Sequence, residues 1–167
     1  MSMNILFIGD IVGSPGREAI KKLVFPLRQE LQIDFVIANA ENASGGSGIT
    51  SKVADELFAS GVDVLTSGDH IWKKPEIFEL INQEERILRP LNFPSGAPGR
   101  GAAVFKAKNG IKVGVINVNG RVFMEALECP FKTALKACEG LAAETKIIIV
   151  DIHAEATSEK VALGWYL

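Results

Sequence analysis

The stretch Asn4-Ile5-Leu6-Phe7-Ile8-Gly9-Asp10 decides the fold of this chain, because it is a short apolar run that ends on Gly-Asp. Three later apolar runs are followed in a similar way by carboxylate, carboxamide or imidazole side chains. They are Phe35–Ala38 before Glu41-Asn42, Val62–Thr66 before Gly68-Asp69-His70, and Ile147–Val150 before Asp151-Ile152-His153. Ligands of open α/β sheets bind just beyond the carboxyl ends of the strands. We therefore predict four buried strands whose following side chains converge on a metal site.

The length and composition predict one globular domain over residues 1–167. Hydrophobic residues make up 47% and charged residues 23%, which is enough apolar material for a core without disulfides or a structural metal. A net charge of −2 gives no basic field, so neither nucleic acid nor an anionic membrane is indicated as a partner. The two cysteines, Cys129 and Cys138, match no zinc or disulfide pattern. With free thiols, no signal segment and no apolar run near about 20 residues, we expect a cytoplasmic protein.

The pattern between these runs alternates strands with helices. Ser14 is a good helix cap, Pro15 fits the first helical position, and Pro26 predicts a kink or a break into two helices. Three prolines and three glycines predict that Arg89–Gly101 is a surface loop, and Asn109-Gly110 predicts a two-residue hairpin turn. Together these signals predict a layered α/β sheet of mixed direction. The other predicted elements are the hairpin strands Ala102–Lys106 and Ile111–Asn117, a helix from Thr50 or Ser51 to Gly61, a short helix at Pro75–Ile81, a brief strand at Ile87-Leu88, a helix at Phe131–Leu141, a strand at Lys146–Ile152 and the start of a helix at Ser158–Leu167.

Carboxylate and amide groups after the predicted strands have the chemistry of metal ligands. Asp10 suits a hard or borderline divalent cation, although it could equally cap the turn into the first helix. Glu41 can bridge two cations and Asn42 can supply a neutral oxygen, and the alternative is a polar start to a loop. Asp69 adds a further oxygen ligand. The glycine-rich segment 43–48 would let backbone approach a ligand closely or serve as a flexible linker, and it matches neither common phosphate-loop motif.

Both histidines of the chain follow predicted strands. His70 has an acidic neighbour whose side chain should point away from it, so His70 would be free to protonate a leaving oxygen. His153 could ligate a metal through a ring nitrogen, and Asp151 either supports the ligands or merely lies near the strand end. A lone histidine is usually structural, but the placement of both at strand ends favours a shared site. Arg100 and Arg121 could hold a phosphate, although a solvated surface arginine is the simpler interpretation of each.

Six motifs spread along the chain are specific enough to indicate a family. They are Gly9-Asp10-Ile11-Val12-Gly13-Ser14-Pro15-Gly16-Arg17, Ala40-Glu41-Asn42-Ala43-Ser44-Gly45-Gly46, Ser67-Gly68-Asp69-His70-Ile71-Trp72, Gly99-Arg100-Gly101, Asn119-Gly120-Arg121-Val122-Phe123-Met124 and His153-Ala154-Glu155-Ala156-Thr157-Ser158-Glu159-Lys160. With them the chain resembles the YmdB-like branch of the calcineurin-type metallophosphoesterases, and the resemblance covers essentially the whole chain.

The resemblance implies an α/β fold that is a four-layer α/β/β/α sandwich, of which this chain would contain the larger part. It also implies phosphodiester hydrolysis at two metal ions, with small cyclic nucleotides such as 2′,3′-cyclic AMP as substrates. The ligand types suit iron, manganese or zinc. By position, the resemblance assigns Asp10 and Asn42 to one metal, Asp69 and His153 to the other, Glu41 to both as a bridge, and His70 to proton donation.

Two departures from the family pattern bear on this expectation. Asp69 stands where the family usually has asparagine, which should tighten cation binding and lower the Lewis acidity felt by the nucleophile. The family also continues beyond Gly164–Leu167 to a Gly-Thr-His-Thr-His segment that gives one histidine to each metal. We therefore expect this sequence to be a fragment of a longer enzyme, and we do not expect the fragment alone to hydrolyse its substrate.

The sequence thus predicts a metal-dependent phosphodiesterase in which two cations activate a hydroxide and His70 protonates the departing oxygen. The alternative is a catalytically inactive regulatory or binding protein on the same scaffold, which Asp69 and the missing histidines favour. An aspartate-based phosphotransferase is disfavoured, because Val12 stands where such enzymes carry a second aspartate. A homo-oligomer is compatible with the sequence.

Overall fold

The computed structural model of the protein describes residues 3–167. This part of the chain holds six β-strands, five α-helices and one short 3₁₀ helix, and none of its helices is long and apolar enough to cross a membrane. The elements in chain order are β1 (Ile5–Ile8), α1 (Gly13–Glu30), β2 (Phe35–Asn39), α2 (Ser51–Ala59), β3 (Val64–Thr66), the 3₁₀ helix (Asp69–Lys73), α3 (Ile77–Gln83), β4 (Ala102–Lys106), β5 (Lys112–Asn119), α4 (Pro130–Leu141), β6 (Ile148–His153) and α5 (Thr157–Tyr166).

The strands form two three-stranded sheets instead of the one mixed sheet that the alternation of elements predicts. The first sheet has the order β1-β2-β3 and is wholly parallel, with Ile8 paired to Ala38. In the second sheet β5 pairs antiparallel with β4 and parallel with β6. Asn119 pairs with His153, so β5 and β6 end at the same edge. The prediction of mixed strand direction is therefore confirmed for the second sheet only.

Burial differs between the strands that were all predicted to be buried. β2 and β3 are buried at every position, because each is covered on both faces. β1 and β6 are only partly buried, and Phe7 of β1 is 40% exposed. The prediction of four buried strands is wrong for these two.

The helices and sheets form layers, and three apolar clusters lie between them. The first joins the sheet of β1, β2 and β3 to α1, α2 and α3, and it includes Val36. The second lies between the two sheets and includes Phe35 of one and Val115 of the other. The third joins the second sheet to α4 and α5 through residues such as Ile116 and Leu163. Neighbours on one strand belong to different clusters because successive side chains point to opposite faces of a sheet.

Helix α1 begins earlier than predicted, and Pro26 does not divide it. Gly13 opens the helix, so Ser14 lies inside it and makes no cap. The N–H of Gly13 donates to the carbonyl oxygen of Asn42 at 2.9 Å, which satisfies the helix end through backbone and ties it to the loop after β2. Pro15 lies in the first turn, where a missing N–H costs nothing. The helix continues without interruption through Pro26. Of the two predicted alternatives, the break into two helices is wrong, and the kink stays a prediction.

Residues Arg89–Gly101 are not a surface loop throughout, contrary to the prediction. Arg89 and Asn92 are buried, and the N–H of Leu91 donates to the carbonyl oxygen of Asn117 at 2.7 Å. A loop can be buried where its backbone groups find partners, and here the end of β5 supplies one. The segment therefore connects the two sheets.

The hairpin of β4 and β5 is confirmed, although its turn is longer than predicted. Ala107 and Ile111 are joined by a backbone hydrogen bond of 2.9 Å, which leaves a loop of three residues between them. Gly110 has a φ of +84°, as the last position of such a loop requires. The predicted cap of α2 is also confirmed, because Thr50 accepts a hydrogen bond from the N–H of Val53.

Candidate metal centre

One half of the site is a group of two carboxylates around an imidazole. In His153, Nδ1 lies 3.0 Å from Oε1 of Glu41, and Nε2 lies 3.0 Å from Oδ1 of Asp69. One donor atom from each of the three residues falls within 4.8 Å of the other two. Glu41 is fully buried and the other two are partly buried. Two carboxylate oxygens and a histidine nitrogen at such distances form a donor set suited to a transition-metal ion.

The other half of the site is organised by an amide. Nδ2 of Asn42 lies 3.0 Å from each carboxylate oxygen of Asp10 and 3.3 Å from Oε1 of Glu41. Oδ1 of the same amide lies 2.7 Å from Nδ1 of His70. The N–H₂ group of the amide therefore lies among three carboxylate oxygens. These oxygens would also stabilise a cation at that position, as they stabilise the partial positive charge of the amide.

A glycine makes room between the donor atoms. A Cβ atom at Gly68 would collide with Oε2 of Glu41 and with the ring of His153. The chain then enters the 3₁₀ helix, which brings the N–H of His70 to 3.4 Å from Oε2 of Glu41. The glycine thus keeps side-chain bulk out of the space where three strands deliver their ligands.

The pKa of Glu41 is that of a buried carboxyl group surrounded by other carboxylates. Burial is the main cause that raises its pKa to about 7. The N–H of His70 opposes this rise, whereas the negative charges of Asp69, Asp10 and Asp151 add to it. A bound cation would supply the charge that stabilises the Glu41 carboxylate in this position.

Sequence reasoning missed the buried asparagines that support the cluster from between the sheets. Nδ2 of Asn39 donates to Oδ2 of Asp151 and to the carbonyl oxygen of Ser67, both at 3.3 Å. Nδ2 of Asn117 donates to the same carbonyl at 3.0 Å, and its Oδ1 accepts from the N–H of Ser67 at 3.1 Å. Burial raises the pKa of Asp151, which lies outside the three-residue donor group. In the sequence, Asn39 and Asn117 are each a polar residue within an otherwise apolar strand, and this pattern could have indicated their supporting role.

A cleft of about 310 Å³ opens beside this cluster, between the ends of β1 and β6. Asp10, His153 and Lys160 line it, so a bound anion would meet two candidate metal ligands and a cationic side chain. Volume alone does not mark the site, because a depression of about 550 Å³ lies at the amino end of β1 and is lined by residues such as Ile5 and Leu31.

The two arginines predicted to hold phosphate lie outside this network. Arg100 forms an exposed ion pair with Glu85 at 2.7 Å. Arg121 begins the loop after β5, where its backbone N–H donates to Glu159 at 3.0 Å. Within residues 3–167 neither guanidinium group has a hydrogen bond or an ion pair to the cluster. Their role in substrate binding stays a prediction.

The fold and the site define a class of protein, namely a mixed α/β protein with carboxylates, an amide and imidazoles gathered at the ends of its strands. Residues 6–167 match the family model described as YmdB-like protein, and the chain belongs to this family. The resemblance seen in the sequence motifs is confirmed.

Individual relatives agree with this assignment. The chain is 48% identical over 164 residues to the 2′,3′-cyclic-nucleotide 2′-phosphodiesterase of Bacillus subtilis strain 168, and the match covers 98% of this chain and 62% of that protein. Two crystal structures superpose with a TM-score of 0.87 over 99% of this chain. One is a hypothetical protein from Thermus thermophilus, 39% identical and covered to 63%. The other is described as a novel phosphatase from Mycoplasma pneumoniae, 34% identical and covered to 60%.

These proteins are longer than the chain described here. The chain spans less than two thirds of the length of each of the three. Each match nevertheless covers at least 98% of this chain. The activity of the whole protein is therefore a matter for proposal.

Proposed function

We propose that the protein containing this chain is a metal-dependent phosphodiesterase that hydrolyses 2′,3′-cyclic nucleotides. The observation that carries the proposal is the donor group of Glu41, Asp69 and His153, whose atoms lie within 4.8 Å of one another at the strand ends. The printed name of the Bacillus relative, 48% identical, supports the class of substrate. A small cyclic phosphodiester would enter from the cleft beside these ligands.

The residues present fit two divalent cations. Asp69 and His153 would hold one, and Glu41 would contact both. Asp10 would hold the other together with the amide oxygen of Asn42, whose side chain would have to turn because its Nδ2 faces Asp10 and its Oδ1 faces His70 in this structure. The space kept open at Gly68 and the raised pKa of the buried Glu41 both favour bound positive charge. Iron, manganese or zinc would suit this mixture of oxygen and nitrogen donors. When bound, such cations would polarise the phosphate oxygens and lower the pKa of the attacking water.

His70 is the proposed proton donor. Its Nδ1 faces Oδ1 of Asn42, which can only accept, so Nδ1 carries a hydrogen and the ring orientation is set. Nε2 then remains for the substrate, and it lies 3.9 Å from Oδ2 of Asp69 on a side chain that is 37% exposed. In its cationic form the imidazole would release the Nε2 proton to the departing ribose oxygen.

We also propose that the layers belong to a calcineurin-type α/β/β/α sandwich. Three stacked apolar clusters support this arrangement, because one lies between the sheets and the other two lie between a sheet and its helices. The two sheets would then bring the ends of β1, β2, β3 and β6 together at one edge. That edge is where the ligand-bearing residues stand.

The experiment compares hydrolysis of 2′,3′-cyclic AMP by the full-length gene product with that of its His70→Ala variant, before and after exhaustive chelation. Loss of the proton donor should lower kcat by about a hundredfold or more while the bound metal is retained. Chelation should abolish activity in both proteins, and added manganese should restore it. The control is Glu144→Gln, an exposed acid between α4 and the start of β6.

Hydrolysis that survived both His70→Ala and chelation would contradict the proposal. Metal binding without hydrolysis in the wild-type protein would instead favour the non-catalytic binding protein on the same scaffold.

A further inference from the structure

An exposed aromatic side chain follows the strand that is paired with the metal-ligating strand β6. Phe123 is 91% exposed, and its backbone has a φ of +64°. A left-handed backbone is unfavourable for a residue with a Cβ atom, and an exposed phenyl ring contributes little to the core. The packing of residues 3–167 therefore gives no reason for this residue in this conformation, and such strain is typical of functional positions.

The loop that carries Phe123 is fixed by a buried acid. The N–H of Gly120 donates to the carbonyl oxygen of His153 at 2.7 Å. The next two N–H groups, of Arg121 and Val122, donate to the carboxylate of Glu159 at 3.0 and 3.2 Å. Glu159 is only 7% exposed, and a Cβ atom at Gly120 would meet its Oε2 at 2.5 Å. The loop is thus held in one place by charge-assisted hydrogen bonds.

The position of the loop limits how far Phe123 can lie from the residue that pairs with His153. Asn119 is the last residue of β5 and pairs with the ligand His153. Phe123 follows four residues later, so it can lie no more than about 14 Å from Asn119. Arg121 belongs to the same turn, because the N–H of Met124 donates to its carbonyl oxygen at 3.3 Å. The loop that carries Phe123 therefore begins beside His153, at the ligand-bearing edge.

We propose that Phe123 is a stacking platform for the base of the substrate, so that the site prefers nucleoside cyclic phosphates over phosphodiesters without a base. The inference rests on the proposed function, and it assigns the base a place outside the metal ligands. Every nucleobase has a π face, so the platform would favour nucleotides without choosing among the four bases. Phe123 would act as a specificity-determining residue, and Glu159 would position it through the loop.

The test compares Phe123→Ala with the wild-type full-length protein on two substrates. One is 2′,3′-cyclic AMP, and the other is glycerol 1,2-cyclic phosphate, which has the same five-membered cyclic phosphodiester and no base. Truncation should raise KM for the nucleotide on the order of tenfold more than for the glycerol compound. Phe123→Trp should restore the preference. The control is Phe25→Ala, a ring that is 48% exposed and lies beside Gly61, before β3 begins.

The possible results distinguish the stacking role of Phe123 from the proposed phosphodiesterase function. Equal changes on both substrates, or none on either, would overturn the stacking platform while leaving the phosphodiesterase intact. If the wild-type protein hydrolysed neither substrate, the proposed function would fail, and equilibrium dialysis with adenosine 3′-phosphate would test Phe123 separately. In that measurement, weaker binding by Phe123→Ala than by Phe25→Ala supports the platform, and equal binding contradicts it.

Discussion

The two halves of the candidate metal centre differ in the group that joins their carboxylates. In one half the joining group is the imidazole of His153, which faces a carboxylate oxygen at 3.0 Å through each ring nitrogen. In the other half it is the amide of Asn42, which donates to both oxygens of Asp10. The first half is built around a fully buried acid, whereas the second opens to solvent at Asp10.

Glu41 is the residue that the two halves of the site share. Oε1 of Glu41 lies 3.0 Å from His153 and 3.3 Å from Asn42, so this one carboxylate belongs to both halves. A buried carboxylate with a raised pKa is unfavourable in its charged form unless positive charge is brought to it. We therefore expect changes at Glu41 to affect both halves, and changes at the amide to affect one.

The largest effect is expected from Glu41→Gln. If Glu41 bridges two cations as proposed, replacing its carboxylate by an amide removes a ligand from both. Hydrolysis of 2′,3′-cyclic AMP should then fall by more than about a hundredfold, since even the partners of ligands contribute about 10- to 100-fold. Steady-state kinetics and elemental analysis of the same preparation would measure this. The matched control is Glu84→Gln, whose carboxylate pairs with Arg86 at 2.6 Å. A loss of less than about tenfold with full metal content would show that the two halves do not share this residue.

The same residue should make the stability of the metal-free protein depend on pH. The pKa of Glu41 is raised from 4.5 to about 7, so the folded state favours the protonated form. This stabilisation is fully present below pH 4.5 and is lost as the pH rises through about 7, which amounts to roughly 3 kcal/mol in the free energy of unfolding.

Urea denaturation in the presence of chelator, from about pH 4.5 to 8, would measure this loss. In Glu41→Gln the free energy of unfolding should fall by roughly 3 kcal/mol less across this pH range than in the wild type. The variant should therefore be more stable than the wild type at the upper end of the range. Parallel curves for the two proteins would mean that the carboxylate is not a source of destabilisation.

A smaller effect is expected from Asn42→Ala, which breaks only the amide-linked half. The variant loses the group that spans Asp10 and His70, so kcat should fall about 10- to 100-fold. The imidazole-linked half should still hold metal, and elemental analysis would show a partial loss. The control is Gln29→Ala, an exposed amide on α1. Complete loss of metal would contradict the independence of the two halves.

The smallest effect is expected from Asp69→Asn, which keeps an oxygen ligand and removes one charge. Because the charge of Asp69 raises the pKa of Glu41, the substitution should lower that pKa. Cation affinity, measured by competition with a chelator, should weaken by on the order of tenfold. Unchanged or tighter binding would show that the Asp69 carboxylate is not a ligand.

The sequence predicted those parts of the molecule that depend on local pattern. An apolar run followed by Gly-Asp marks the end of β1, and Asn109-Gly110 marks the hairpin even though its turn is one residue longer. The residues after each strand are chemically distinctive, so Glu41 and His153 could be named as partners before their distance was known.

What the sequence did not predict depends on contacts between distant segments. Asn39 and Asp151 are 112 positions apart, and their hydrogen bond exists only because the two sheets meet. The burial of Asn92 has the same cause, since its partners come from the second sheet and from the chain that follows it. Ser14 failed as a cap because the backbone of Asn42 already satisfies the start of α1.

The most direct test of the metal centre is the amount of metal bound per chain. Elemental analysis would be made on the full-length gene product purified without chelator, in the wild type and in His153→Ala. The account predicts two ions of iron, manganese or zinc in the wild type and at most one in the variant. Absence of metal from the wild type, or equal metal in both proteins, would contradict it.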